Sequence, residues 1–315
     1  MRHSIVLPIT AVRPEQAVPF ANLVRWTRAA RFWQGQSQVI DNHQLVSWLA
    51  GIGIRVPSGF GVNLTPLRSP YHAAMEARST ALTTGQQVLA AYGPGAVDYQ
   101  RGILGQPYRS PLTAVREYVT TVRALVNGEF VESGGAYYPT TARMVPIRSA
   151  DVRIGLGVLR PRMAELAGEI ADDAVAWLCP PDHLRDVLVP AVRKGSAAAG
   201  REPVPVTAIV PCALARDGRD AEELAFATCG MHLQAPHYQD TLRQAGIRVT
   251  GERSDARKLI DAGLFPYGTA RDVRDALRRF ADAGVAEVVL NVVGVAATLG
   301  ARAAAQDLED ILSEV

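Results

Sequence analysis

Gly59-Phe60-Gly61-Val62-Asn63-Leu64 opens a stretch that continues through Thr65-Pro66-Leu67-Arg68-Ser69-Pro70 and a helical segment to Val88-Leu89-Ala90-Ala91-Tyr92-Gly93-Pro94-Gly95. An apolar strand, a proline-punctuated loop, a helix and a second strand follow without a break, which is the order of a parallel α/β unit. Val88 to Tyr92 is short and apolar throughout, as a strand buried on both faces is. Gly93 and Gly95 then remove two Cβ atoms where the strand stops, so the backbone can turn sharply and bare N–H groups can approach an anion. A tight turn with no ligand would use the same residues, so these glycines alone leave both readings open.

The same alternation extends in both directions. Strands are expected at 4–7, 31–35, 55–64 and 87–92, with helices at 14–30, 41–51, 70–84 and 111–126. Residues 129–146, with Gly134-Gly135 between Phe130-Val131 and Tyr137-Tyr138, predict a hairpin covering one end of the structure. Strands then follow at 152–155, 173–179, 205–215 and 286–293, and helices at 161–171, 182–200, 270–283 (capped by Thr269) and 301–314. Eight strand-helix repeats predict a (β/α)8 TIM barrel with insertions after strands 4 and 7, the second spanning 216–266 and facing substrate. A doubly wound sheet would show fewer strands and a separate second domain. One domain over 1–315 is the expectation.

Composition excludes several classes. A net charge of +2 with 20% charged residues is an ordinary surface without a basic stripe for nucleic acid or anionic membrane. No apolar run reaches the roughly 18 residues of a membrane span, and Met1-Arg2-His3 leads directly into strand-like Ser4-Ile5-Val6-Leu7 rather than a signal peptide. Cys179, Cys212 and Cys229 are widely spaced, which argues against a disulfide framework or a CxxC metal site and fits a cytoplasmic protein. No metal is expected, because His232 and His237 lie five apart and so on different faces of a helix. Lys194 and Lys258 are the only lysines among 33 basic residues, and neither ends a barrel strand, which disfavours a cofactor-free lyase or isomerase.

Ligand sites of such barrels lie at the carboxyl ends of the strands. The stretch Gly155-Leu156-Gly157-Val158-Leu159-Arg160-Pro161-Arg162 places two glycines after strand five and Pro161 at a first helical position, so free N–H groups face the mouth. Arg160 or Arg162 can add a bidentate phosphate contact, or both can be solvated at a helix start.

Four segments carry a resemblance: Gly61 to Pro70, Tyr92-Gly93-Pro94-Gly95, Arg160-Pro161-Arg162-Met163-Ala164-Glu165-Leu166-Ala167 and Gly268-Thr269-Ala270-Arg271-Asp272-Val273. In these barrel slots the chain resembles the luciferase-like monooxygenase family along its whole length, and the F420-dependent oxidoreductase branch in particular. The resemblance implies a (β/α)8 barrel, a homodimer, and either the deazaflavin F420 or FMN, with F420 favoured. It implies a bulge at Asn63-Leu64-Thr65, often with a non-proline cis peptide, behind the ring. It places Gly93 and Gly95, with Tyr92, in the loop after strand four, and Gly157, Leu159, Arg160 and Arg162 at the phosphate. The family's acidic or histidine residue at the end of strand two is absent; Trp33-Gln34-Gly35-Gln36 stands there, with Gln34 the expected ring neighbour.

His43, near the strand-two exit, is the expected proton donor because imidazole titrates near neutrality, although it can equally be a hydrogen-bonded helix residue. Tyr99, with Asp98 and Arg101, lies just past the glycines and Trp177 ends strand six, so Tyr99 and Trp177 are the expected substrate contacts; surface and packing roles compete. His72 is the weaker candidate. The expected reaction is hydride transfer from reduced F420 to an activated C=C or C=N bond of a small molecule or peptide of natural-product type, such as a dehydroamino acid. An FMN monooxygenase and a non-catalytic flavin-binding barrel are the alternatives.

Overall fold

Helix starts fix the frame of the fold. Ser69 accepts a hydrogen bond from the His72 amide ahead of Pro70, Ser110 accepts one from Thr113 ahead of Pro111, and Thr269 forms a reciprocal capping box with Asp272. A computed structural model describes residues 1–148 and 151–315. From the amino end run β1 (Arg2–Val6), α1 (Val18–Trp26), β2 (Phe32–Gln34), α2 (Asn42–Gly51), β3 (Ser58–Leu64), α3 (Pro70–Thr84), β4 (Val88–Gly93), α4 (Val97–Leu104) and α5 (Pro111–Val126). An antiparallel pair follows, β5 (Phe130–Ser133) and β6 (Thr140–Arg143), then β7 (Val152–Val158), α6 (Pro161–Ile170), β8 (Asp173–Trp177), α7 (Pro181–His183) and α8 (Val189–Ala198). The remainder comprises β9 (Val206–Pro211), β10 (Ala213–Leu214), α9 (Ala221–Leu233), α10 (Pro236–Gln244), α11 (Asp255–Asp261), β11 (Tyr267–Gly268), α12 (Ala270–Asp282), β12 (Glu287–Asn291), α13 (Val293–Leu299) and α14 (Ala301–Glu314).

Strands β1, β2, β3, β4, β7, β8, β9 and β12 pair in parallel in that order, and β12 closes onto β1. The expected (β/α)8 barrel is therefore present. Several boundaries differ for local reasons. The first helix is divided into a 3-10 turn (Pro14–Ala17) and α1, with Pro19 at the start of α1 where its missing N–H is harmless. The sixth helix is broken by a π turn (Leu184–Leu188) just before Pro190, which cannot donate to the preceding turn. Strand seven divides into β9 and β10, and β10 pairs with β11 outside the barrel. Helices α4 and α13 occupy stretches expected to be loop or strand end.

The interior is plugged by Trp33. Its ring is fully buried, and a Cβ on Gly59 would lie 2.3 Å from the indole, one on Gly61 3.0 Å. The two glycines of the opening stretch thus make room for this ring inside the barrel. Below it, at the amino ends of the strands, Glu287 accepts from the Trp33 indole N–H and the Ser4 hydroxyl, each at 2.8 Å, and faces Arg2 at 3.1 Å and Arg31 at 3.6 Å. Asp173 and Thr207 are buried in the same layer. Outside the barrel, α6 and α8 cross at backbone contact: a Cβ on Gly195 would lie 1.9 Å from the Glu165 carbonyl.

Candidate functional site

Above Trp33, the mouth begins with a register shift in β3 between Phe60 and Asn63, across a cis peptide at Gly61-Val62. The bulge therefore lies at Gly61-Val62 rather than at Asn63-Leu64-Thr65. Its effect is to turn the Val62 side chain inward, where it packs with Trp33, Leu89, Ala91, Val175, Ile209 and Trp177. Gly93 and Gly157 flank it: a Cβ on either would meet a Val62 methyl at 2.9 Å or 2.8 Å. Gly155 and Gly157 are inside β7, not in a loop after it, because the strand continues to Val158. Their first physical role is clearance for neighbouring side chains.

The bulge also turns Asn63 outward. Its Nδ2 lies 3.2 Å from His43 Nε2, and His43 Nδ1 lies 2.8 Å from the Thr80 hydroxyl, so both ring nitrogens have protein partners. His43 is 5% exposed and stacks on Phe60 at 4.1 Å. Burial lowers its pKa to about 3, which leaves a neutral imidazole at pH 7. This geometry departs from the sequence expectation of a proton donor facing substrate. Gln34, one residue beyond the inward Trp33, likewise points outward and donates to the Asn42 carbonyl at 3.4 Å. Tyr92 packs outward against Tyr118, its hydroxyl donating to Ala73 at 3.4 Å, so its side chain is behind the mouth rather than in it.

The turn after β4 is held from below. Gly95 adopts φ +70°, the left-handed region that favours glycine, and its carbonyl accepts from Gln100 at 2.9 Å. Gln100 in turn accepts from the Tyr108 amide at 3.0 Å. Tyr108 reaches the Thr65 hydroxyl at 3.1 Å and pairs with the Tyr138 hydroxyl, which ties the tip between β5 and β6 to the mouth. Leu64 and Tyr99 both pack near Gly95, within 3.5–3.7 Å of where its Cβ would stand. Asp98 and Arg101 pair with each other at 2.7 Å on the exposed surface, as His72 and Glu76 do at 3.0 Å.

Past the end of β7, α6 begins at Pro161 behind Arg160 with no side-chain cap; Pro161 has no N–H and Met163 donates to the Arg160 carbonyl at 3.1 Å, which leaves the Arg162 amide as the N–H of the first turn that can meet an anion. Arg160 pairs with Asp240 of α10 at 2.7 Å, while Arg162 is exposed beside Leu159 and Pro161. Trp177 ends β8 and meets His232 of α9 at 5.2 Å between ring centroids; His232 meets Tyr238 of α10 at 4.9 Å, and Tyr238 meets His237 at 4.3 Å. Leu64, Gly93, Gly95, Tyr99, Gly157, Arg160, Arg162 and Trp177 thus all lie at or just past the carboxyl ends of β3, β4, β7 and β8. Among the residues not anticipated, Val62 was hidden by the bulge, and Gln100, Tyr108 and Tyr138 act through contacts distant in sequence. No cluster of metal-ligating side chains occurs among the described residues, and no helix among them is long and apolar enough to cross a membrane.

Residues 1–287 match the family described as luciferase-like monooxygenase. The chain is 25% identical over 270 residues to the 5,10-methylenetetrahydromethanopterin reductase of Methanolobus tindarius, covering 79% of this chain and 82% of that protein. In fold it is similar to the coenzyme F420 dependent tetrahydromethanopterin reductase from Methanopyrus kandleri, with TM-score 0.77, 19% identity and coverage of 100% and 98%. It is also similar to a monooxygenase from Streptomyces bottropensis, with TM-score 0.76, 16% identity and the same coverage.

Proposed function

Because the chain belongs to the luciferase-like monooxygenase family, we propose that it is an F420-dependent oxidoreductase that transfers hydride to an activated C=C or C=N bond of a small molecule. The observation that carries this reading is the Val62 platform, an inward apolar surface seated between Gly93 and Gly157 and overlooked by the uncapped start of α6. These residues fit a flat ring system with a phosphate tail. When bound, the deazaflavin supplies a two-electron hydride donor or acceptor.

Val62 and Leu64 would back the ring, and the Gly93-Pro94-Gly95 turn, fixed by Gln100, would set how closely the backbone approaches it. The Arg162 amide at the start of α6 and the Arg162 guanidinium would hold the phosphate charge. Helices α9 and α10, anchored by Arg160 and Asp240, cover one side of the opening and exclude water from it. His43 holds Asn63, and through it the end of β3, in place. A natural-product substrate, including a dehydroamino acid in a peptide, and a cytoplasmic homodimer remain part of the proposal. The exposed Tyr71, Met75 and Leu82 on one side of α3, with Leu67 in the turn just before it, support a second copy as neighbour.

Titration of the apo-protein with F420 and with FMN, followed by tryptophan fluorescence, tests this reading. F420 should bind at least ~10-fold more tightly than FMN. A preference for FMN would favour a flavin monooxygenase, and binding of neither would favour a non-catalytic barrel.

A further inference from the structure

Trp177 and His232 present a feature that packing alone does not explain. Trp177 Nε1 and His232 Nδ1 are both buried and both lack a hydrogen-bond partner among the described residues, although their rings are neighbours at 5.2 Å. An unpaired buried polar atom costs about 1–3 kcal/mol, so two in adjacent rings are an expensive arrangement unless a ligand completes them. Their position is suited to that. Trp177 packs against the inward cluster that includes Val62 and Ile209, while His232 descends from the segment between β10 and β11, next to Tyr238.

The charge of this wall is balanced. The Arg160 guanidinium, close enough to act on the neighbouring His237, is taken up by Asp240 at 2.7 Å. Burial, aided by the neighbouring His237, lowers the His232 pKa to about 4, so its imidazole is neutral at pH 7 and carries one donor and one acceptor. The indole contributes a donor only. Around them stand the apolar faces of Val62, Ile209 and Tyr238. This combination favours a flat, mostly apolar molecule with a neutral polar edge over a carboxylate or phosphate.

We propose that Trp177 and His232 form a substrate subsite that holds a neutral lactam, amide or ketone edge on a planar ring. The inference rests on the mouth being the reaction site and adds the substrate class to it. Recognition of this kind discriminates strongly, because an analogue without the polar edge leaves both nitrogens unpaired.

Equilibrium dialysis with three probes of one shape tests the subsite: isoquinolinone, which has a lactam edge, naphthalene, which has none, and naphthoate, which is anionic. Isoquinolinone should bind at least ~10-fold more tightly than naphthalene, and naphthoate no more tightly than naphthalene. Trp177→Phe and His232→Leu should each reduce the lactam preference to about 2-fold, while His232→Gln, which keeps hydrogen-bonding atoms, retains most of it. Equal binding of isoquinolinone and naphthalene, binding of neither, stronger binding of naphthoate, or an unchanged preference in both Trp177→Phe and His232→Leu would overturn the subsite. F420 affinity, measured separately on the same proteins, should stay within about 2-fold of wild type. Loss of F420 binding by the wild type would instead count against the cofactor reading, so the two failures are distinguishable.

Discussion

The two ends of this barrel are built by the same eight strands and spend their polar groups differently. At the amino end, beneath Trp33, opposite charges meet: Glu287 collects the Ser4 hydroxyl, the Trp33 indole, the buried Arg31 and the half-exposed Arg2, with Asp173 buried in the same layer. At the carboxyl end the inward surface is apolar and glycine-cleared around Val62, and Trp177 and His232 keep polar atoms without partners. The first arrangement stabilises a plug; the second leaves hydrogen-bonding capacity for something that binds. Trp33 is the divider, since it closes the barrel from below and supplies the floor of the mouth.

The sharpest way to break this contrast is to remove Glu287. Glu287→Ala leaves Arg31 buried without its carboxylate and the indole N–H without its acceptor, and it should destabilise the fold by about 3–5 kcal/mol. Chemical denaturation measures the loss. F420 affinity, titrated at a temperature where the variant is still folded, should change little. A stable variant with weakened cofactor binding would mean that the lower network serves the ligand site, and the division between the two ends would fail.

A second test uses pH. Burial, with Glu287 adding to it, pushes the Asp173 carboxyl up to about 7 against the opposing Thr207 hydroxyl and the Arg153 and Arg31 guanidiniums. The folded-state value lies above the unfolded one, so the folded chain binds the proton more tightly; this contribution to stability is full below about pH 4 and is lost as pH rises to about 7. Asp173→Asn should remove that loss. The variant should gain on the order of 4 kcal/mol relative to wild type between acidic and neutral conditions, read as a difference of denaturation midpoints at the two ends of the range. Parallel pH curves for the two proteins would place Asp173 in a wetter or better-paired setting.

How much of this was legible in sequence depends on the range of the contacts. The eight-fold alternation and the helices beginning at Pro70, Pro111 and Pro161 were legible because caps and prolines act within a few residues. The direction in which side chains point was not. A one-residue bulge reverses strand alternation, so Val62 turned inward and Asn63 outward, a consequence invisible without the register against β4. Gly59 and Gly61 read in sequence only as part of an apolar strand, and the room they make for Trp33, which comes from the preceding strand, has no local signature. Gly95 alone has the positive φ expected of a glycine in the turn after β4. The link from Gln100 through Tyr108 to Thr65 and Tyr138 joins four segments and has no local signature.

The smallest expected effect sharpens the upper end of the barrel. Unlike His232, His43 has both nitrogens paired, with Thr80 at 2.8 Å and Asn63 at 3.2 Å, and Phe60 stacked on its ring. Burial, with Arg68 and His72 opposing added positive charge and only Asp41 favouring it, lowers its pKa to about 3. A neutral imidazole enclosed in this way is poorly suited to deliver a proton at neutral pH, but well suited to hold Asn63 and the end of β3. The ring resonances of His43, assigned by comparison with His43→Gln, should therefore stay flat between about pH 5 and 8 in an NMR titration. A midpoint near 6.5 would make His43 an accessible acid and return it to proton transfer. A flat curve would leave His43 paired through both nitrogens as the Trp33 indole is through its one, and would set it apart from Trp177 and His232, whose polar atoms stay without partners among the described residues.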